Sequence, residues 1–80
     1  MTDGKDIEKA FGQVVRDMRL ERKLSQEKLS ELSGLDRSYV SEIERGEKTA
    51  SIRTLVKLAE GLGISLSSLI VDMEKKLKLL

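Results

Sequence analysis

The sequence contains no cysteine, no histidine and no proline, and only one phenylalanine and one tyrosine. Without cysteine, neither a disulfide nor a thiolate metal site can hold the fold together. Without histidine, the chain lacks the commonest general base and a frequent zinc ligand. No apolar run approaches the roughly 20 residues of a membrane span, and the N-terminus, MTDGKD, is polar. We therefore expect a cytoplasmic protein without a metal or other cofactor.

Catalytic combinations are missing as well. The carboxylates are scattered among lysines and arginines, the serines are placed as helix caps, and there is no nucleophile–base pair or glycine-rich phosphate loop. We expect no enzyme. The net charge of +1 is weak support for nucleic-acid binding, because strongly binding domains often have an isoelectric point above about 9. Evidence for nucleic-acid binding must therefore come from where the charges lie along the chain.

The composition indicates one small helical domain. The chain has 80 residues, of which 39% are hydrophobic and 36% charged, and this length leaves little material for a second core. β-branched residues never alternate with polar ones over the length of a strand, so the predicted class is all-α. We expect a single domain over residues 1–80, with a core at about 6–70 and a C-terminal helical extension at 71–80.

Cap residues and apolar spacing predict five helices. The first has Asp6 as N-cap, ends near Lys23 and buries a stripe that begins at Ile7. The predicted caps and helices that follow are Ser25 before Gln26–Ser33, Asp36 before residues 37–45, Ser51 before residues 52–61, and Ser65 before a last helix running toward Leu80. In the fourth helix, Ile52, Leu55, Leu58 and Ala59 are the expected inner face.

The middle stretch, SQEKLSELSGLDRSYVSEIERG, contains two of these helices joined at Gly34. Leu29 and Leu32 give the earlier helix an apolar side, and Val40 and Ile43 do the same for the later one. Gly34 stands where the chain must leave a helix, and glycine adopts a left-handed conformation there without a Cβ penalty. Two short helices joined by a three-residue turn containing glycine are typical of a helix-turn-helix.

This stretch resembles the phage-repressor and Cro-type (XRE) helix-turn-helix family, and GLDRSYVSEIERGEK resembles the controller proteins of restriction–modification systems. The likeness runs from about Phe11 to Leu69. It implies a five-helix, repressor-like regulator of transcription that binds double-stranded DNA as a homodimer on a roughly palindromic operator. Two residues depart from the common pattern: Ser33 stands where many relatives carry a larger apolar residue, and Glu42 places a negative charge near the expected DNA face.

The base contacts are expected on the outer surface of the second helix of the motif. If Val40 and Ile43 point inward, the residues between and before them lie on the opposite surface, where a helix-turn-helix touches base edges. The predicted base contacts are Arg37, Ser38, Ser41 and Glu42. Arg37 is the strongest candidate, because its guanidinium fork matches guanine O6 and N7. For Glu42, acceptance from cytosine N4 and repulsion of phosphate are both open.

Contacts to the DNA backbone are expected around this helix, at Gln26, Tyr39, Arg45, Lys48, Thr49 and Ser51. The resemblance implies that Gln26 contacts phosphate and braces the helix of residues 37–45 (the reading helix), and that the Tyr39 hydroxyl reaches a phosphate. Tyr39 could equally be a tyrosine at the edge of the core, and Lys48 an ordinary solvated lysine. Thr49, Ser51 and the amides that open the fourth helix could form an anion site.

The resemblance also implies a structural ion pair between Arg19 and Glu44, which would lock the reading helix to the first helix. The last helix continues an apolar series beyond the residues needed to close the domain, namely Ile70, Met73, Leu77 and Leu80. We interpret this series as the dimer interface. The alternative is that the last helix folds back onto the first helix of the same subunit.

Two other functions fit the same sequence. One is an antitoxin, or another protein-interaction module, whose helical tail binds a partner while the domain binds DNA. The other is a helical dimer without a DNA role. For a controller, activation and repression are both open.

Overall fold

The computed structural model describes residues 4–79 of the chain. Within that range the chain forms helices and no strand. The helices are α1 (Gly4–Glu21), α2 (Gln26–Ser33), α3 (Arg37–Glu44), α4 (Ile52–Leu62) and α5 (Leu66–Leu79). The predicted all-α, five-helix fold is confirmed.

Four of the predicted caps are made by serine and aspartate side chains at helix starts. The Oγ of Ser25 accepts from the Lys28 amide at 2.9 Å, and Asp36 accepts from the Ser38 amide at 2.9 Å. Ser51 accepts from the Thr54 amide at 3.1 Å, and Ser65 from the Ser68 amide at 3.1 Å. Each cap satisfies an amide that the first turn leaves without an intrahelical partner.

The start of α1 differs from the prediction, whereas its end lies two residues from the predicted Lys23. The helix begins at Gly4, so Asp6 lies in its first turn and is not the N-cap. The helix ends at Glu21 because Lys23 adopts a left-handed backbone with φ 57°. The Leu24 amide then donates back to the Arg19 carbonyl at 3.0 Å, which closes the helix. The sequence did not predict this turn, because the left-handed residue after a helix is usually glycine or asparagine and here it is a lysine.

The core lies between α1, α2, α4 and the inner sides of α3 and α5. Its buried side chains are Phe11, Val14, Val15, Met18, Leu29, Val40, Ile43, Leu58, Ala59, Leu62 and Leu69. The predicted inward position of Ile52 is wrong, because this first residue of α4 is 77% exposed. Leu32 is likewise half exposed. Thr54 is buried instead, and its polar groups are hydrogen-bonded to neighbours.

No single helix within the described residues is long and apolar enough to cross a membrane. Among the described helices, only α4 and α5 taken together are long and apolar enough by length and composition, and the chain bends by 104° between these two helices.

Close helix crossings depend on two glycines that are buried inside helices. A Cβ at Gly12 would lie 2.3 Å from the Ile43 carbonyl oxygen and 2.8 Å from that of Glu44. A Cβ at Gly61 would lie 3.0 Å from the Ser33 Cβ. Gly12 therefore lets α1 approach the end of α3, and Gly61 with the small Ser33 lets α2 approach α4. The second crossing gives a reason for a small residue at position 33.

Gly12→Ala should destabilise the protein, although helix propensity alone predicts a gain of about 1 kcal/mol. The new methyl group would overlap backbone oxygens, which cannot rotate away as side chains do, and overpacking of this kind costs about 1–3 kcal/mol or more. Thermal or urea unfolding monitored by circular dichroism measures the change. Gln13→Ala, at the neighbouring exposed position of α1, is the control and should stay within about 0.5 kcal/mol. A higher melting temperature for Gly12→Ala would contradict the close approach.

Candidate nucleic-acid interface

The turn between α2 and α3 is held by local hydrogen bonds. Gly34 has φ 75° and donates its amide to the Ser30 carbonyl at 2.9 Å. The Ser30 hydroxyl donates to the Leu35 carbonyl, and the Leu35 amide donates to Ser33 Oγ at 3.3 Å. These bonds set the angle at which α3 leaves α2, and so determine which face of α3 is presented.

The outer face of α3 forms one wall of a shallow depression. Val40 and Ile43 are fully buried on the opposite side of the helix, as their spacing predicted. The depression is lined by Gln26, Arg37, Ser38, Ser41, Glu42 and Arg45. All four predicted base contacts and two of the predicted phosphate contacts are therefore brought together on one surface.

Arg37 and Ser38 lie in the first turn of α3 and are exposed. No hydrogen bond or ion pair to another residue of the described chain holds the Arg37 guanidinium. The Ser38 backbone is held by its cap, and its hydroxyl remains on the surface. Arg37 is thus available to a ligand that enters the depression.

Arg45 lies at the other end of α3 and is already engaged. Its Nε donates to Glu47 Oε2 at 2.8 Å and its Nη2 to Glu47 Oε1 at 3.1 Å. Its Nη1 donates to the Ser41 hydroxyl. The hydrogen bonds to Glu47 raise the pKa of Arg45 and lower the pKa of the Glu47 carboxyl. Glu47 and Ser41 hold the guanidinium of Arg45 in this structure, and its contact with the DNA backbone stays a prediction.

Glu44 anchors the back of α3 to two other helices. Arg19 Nε donates to Glu44 Oε2 at 2.7 Å and Arg19 Nη2 to Glu44 Oε1 at 3.0 Å. The side chains of Arg19 and Glu44 are only 10% and 2% exposed, and the hydrogen bonds raise the pKa of Arg19. Gln26 Nε2 also donates to Glu44 Oε1 at 3.1 Å. The ion pair implied by the resemblance is present, and Gln26 braces α3 through the same carboxylate.

Tyr39 is attached to the start of α4. Its hydroxyl is 3.2 Å from the Thr54 hydroxyl and donates to the Thr49 carbonyl at 3.4 Å, while its ring packs against the core. Thr54 in turn hydrogen-bonds the Ser51 hydroxyl at 3.0 Å. The structure places Tyr39 at the edge of the core with its hydroxyl hydrogen-bonded, and the contact of this hydroxyl with a phosphate stays a prediction. Ser51 is likewise occupied as a cap.

Lys48 and Thr49 lie in the loop between α3 and α4, outside the depression, and both are exposed. Lys48 stands at the rim of a small apolar pocket lined by residues of α1, α4 and α5, including Phe11 and Met73. A loop cation next to the reading helix can reach phosphate, and its charge is not neutralised by an ion pair within residues 6–78.

The predicted dimer residues divide between two environments. Met73 packs against the core of its own subunit, and Lys76 of the next turn pairs with Asp17 of α1 at 3.5 Å. Packing of α5 on α1 therefore continues past residue 70. Ile70 is 41% exposed and Leu77 half-buried. Leu80 lies outside the described residues.

Two polar residues of this region were not assigned from the sequence. Thr54 links Tyr39 to Ser51, and its place three residues after the capping serine was the available signal. Glu47 holds Arg45, and the sequence offered other carboxylates within three residues of Arg45, at Glu42 and Glu44 of α3. The described residues contain no group of three or more acidic side chains placed to hold a metal ion.

The chain is similar to a helix-turn-helix family and to controller proteins of restriction–modification systems. The helix-turn-helix family model HTH_3 matches residues 15–69. The control protein C.MunI from a Mycoplasma species is 43% identical over 72 residues, which cover 89% of this chain and 97% of that protein. The crystal structure of the restriction-modification controller protein C.AhdI from Aeromonas hydrophila has a TM-score of 0.75 and 47% identity, over 78% of this chain and 94% of that chain. The crystal structure of the C.Esp1396I controller tetramer in complex with its natural 35 base-pair operator has a TM-score of 0.85 and 30% identity. The match covers 90% of this chain and 95% of that chain.

Glu44→Ala should destabilise the fold by leaving the Arg19 guanidinium buried without its counter-charge. Breaking a buried pair costs about 3–5 kcal/mol, whereas an exposed pair contributes under about 1 kcal/mol. Urea unfolding measures the loss. Glu31→Ala, which removes a carboxylate 3.5 Å from Lys28 in an exposed pair, is the matched control. Equal losses in the two variants would mean that the Arg19–Glu44 pair is solvated.

Proposed function

The chain belongs to the helix-turn-helix family, whose model matches residues 15–69 of its 80, and on that premise we propose that it is a sequence-specific regulator of transcription. It binds double-stranded DNA as a homodimer on a roughly palindromic operator, and it controls a restriction–modification system. The names of C.MunI and C.AhdI support the controller over the antitoxin. The operator complex of C.Esp1396I supports an oligomer on DNA.

The observation that carries this proposal is the exposed first turn of α3 at the rim of a depression. Burial of Val40 and Ile43 turns Arg37 and Ser38 toward solvent, and a helix-turn-helix reads the major groove with the N-terminal residues of its second helix. Arg37 is proposed to bind guanine, with Ser38 beside it. Ser41 and Glu42 line the same depression one turn later.

Phosphate contacts are proposed around this reading surface. Gln26 opens α2 and keeps one amide N–H group free of its bond to Glu44. Lys48 and Thr49 are exposed on the other side, next to the N-terminus of α4 where backbone amides favour anions. These contacts orient α3 without carrying sequence information.

The homodimer is proposed to form through one exposed face of α5. Leu66 and Ile70 are 38% and 41% exposed, and with Leu77 they lie within about 40° of each other around a helix of 3.6 residues per turn. Burying such side chains contributes roughly 1.5–3 kcal/mol each before the entropy of association is subtracted. A two-fold contact of this kind would also set the distance between the two reading helices.

Arg37→Ala should weaken operator binding by about 1–3 kcal/mol and relax the preference at one base pair of each half-site. Lys48→Ala should weaken all duplexes almost equally, with a salt slope reduced by about one contact per subunit. Selection of bound sequences from random duplex DNA, followed by titration at several salt concentrations, separates these outcomes.

Arg16→Ala is the charge-matched control for both variants, since Arg16 is exposed on α1 outside the depression. It should leave the selected sequence unchanged. If Arg37→Ala also selects the wild-type sequence, Arg37 does not read bases. If the wild-type protein enriches no sequence at moderate salt, the proposed function is wrong.

Ile70→Glu should give a folded monomer, because the new carboxylate would be buried at the proposed interface. Operator binding should fall far more than binding to unrelated DNA. Val71→Glu is a matched control: Val71 is 46% exposed on the same helix but points about 100° away from Ile70. Sedimentation velocity distinguishes the variants, and a dimeric Ile70→Glu protein would place the interface elsewhere.

A further inference from the structure

The two arginines on the depression are in different states. Arg37, in the first turn of α3, has no partner among residues 6–78. Arg45, at the C-terminal cap of the same helix, is held by Glu47 through both oxygens of one carboxylate. The Arg45–Glu47 pair is about half exposed, at 54% and 53% of the two side chains. It lies at the surface that DNA is proposed to cover.

The geometry of this pair accounts for most of the donors of Arg45. A guanidinium carries five N–H groups. Glu47 takes the Nε group and one on Nη2, and Ser41 takes one on Nη1. Two N–H groups remain, one on each Nη. The side chain therefore has little freedom to reorient, and its charge is largely compensated by Glu47.

An ordinary exposed ion pair has little energetic weight, because side-chain entropy and salt oppose it. A bidentate pair within a turn is a stronger case, since the partners are two residues apart and both oxygens are used. The pair also bears on DNA binding. Non-specific affinity arises from cations that neutralise phosphates and release counterions. A cation already neutralised by the protein adds little to that term.

We propose that Glu47 is a specificity-determining residue that acts through Arg45. It withholds Arg45 from the phosphates of arbitrary DNA and holds the two remaining N–H groups in one orientation, which only a correctly placed operator acceptor satisfies. Glu47 thus lowers the affinity for non-specific DNA more than the affinity for the operator. Specificity is the difference between these two affinities, so a residue that disfavours the wrong DNA increases it. This inference rests on the proposed function, because it requires a protein that distinguishes an operator from other DNA.

The first test compares wild-type protein with Glu47→Gln on two duplexes of equal length. One is the sequence that the wild-type protein selects from a random pool, and the other is its scrambled counterpart. With Arg45 released, affinity for the scrambled duplex should rise roughly three- to eightfold per subunit at 0.1 M salt, and its salt slope should steepen by about one per subunit. The ratio of operator to scrambled affinity should fall.

The second test asks whether Glu47 acts through Arg45 or repels DNA by its own charge. In an Arg45→Ala background the repulsion would persist, whereas an effect transmitted through Arg45 would vanish. Glu47→Gln should therefore change neither affinity when Arg45 is absent, which is the coupling that a double-mutant cycle measures. Circular dichroism establishes that each variant is folded.

Asp17→Asn is the matched control for the loss of one negative charge. Asp17 also pairs with a cation, Lys76, at 3.5 Å, but in the groove between α1 and α5. This variant should leave the ratio of operator to scrambled affinity unchanged.

The possible results distinguish a failure of the proposed role of Glu47 from a failure of the proposed function. A wild-type protein that prefers no sequence overturns the proposed function, and the inference falls with it. A wild-type protein that prefers its operator, together with an unchanged or higher ratio for Glu47→Gln, overturns the inference alone. An equal change in the Arg45→Ala background also overturns it, because Glu47 would then act on DNA directly.

Discussion

The position of the reading helix depends on the buried contact between Arg19 and Glu44. Helix α3 has eight residues, too few to be stable by itself in water, so its orientation comes from tertiary contacts. Glu44 accepts two hydrogen bonds from Arg19 and one from Gln26, and Arg19 also donates to the Leu24 carbonyl at 2.8 Å. One carboxylate and one guanidinium thus join α1, the turn before α2, the start of α2 and the end of α3. The glycine at position 12 makes this junction possible, because a larger residue would separate α1 from the carbonyls of α3.

The outer surface of α3 carries one arginine that is available to DNA and one that is held by a carboxylate. A net charge of +1 gives the protein little long-range attraction for DNA, so affinity has to come from particular side chains. Arg37 has no ion-pair partner within residues 6–78, whereas Arg45 is compensated by Glu47 and lies near Glu42. In the proposed mechanism such a surface favours discrimination, because the compensated Arg45 adds no phosphate contact to an arbitrary duplex. This restraint of Arg45 agrees with a regulator that must respond to a few sites among many competing ones.

One side of helix α5 packs against the core of its own subunit, and another side is the proposed dimer interface. Leu69 and Met73 face the core, and Lys76 extends the contact to α1. Ile70 and Leu66 remain exposed on an adjoining face. The apolar periodicity of the segment merged these two faces into one stripe, since a wide stripe is compatible with packing inside a subunit and between subunits. Only the position of α1 separates the residues that close the domain from those that are left for a partner.

Many of the features that depend on residues within about four positions of each other could be predicted from the sequence. These include the capping side chains of Ser25 and Asp36, the left-handed Gly34 and the outward face of α3, because caps, turns and helical periodicity are local. The Arg19–Glu44 pair, 25 residues apart, came from family resemblance and not from pattern. Packing between helices decided the need for glycine at position 12, the exposure of Ile52 and the bond between Tyr39 and Thr54. The pairing of Arg45 with Glu47 is local in sequence, but it too was decided by the folded structure. A surface arginine has several carboxylates within reach along the chain, and the three-dimensional course of the turn after α3 selects the one that it binds.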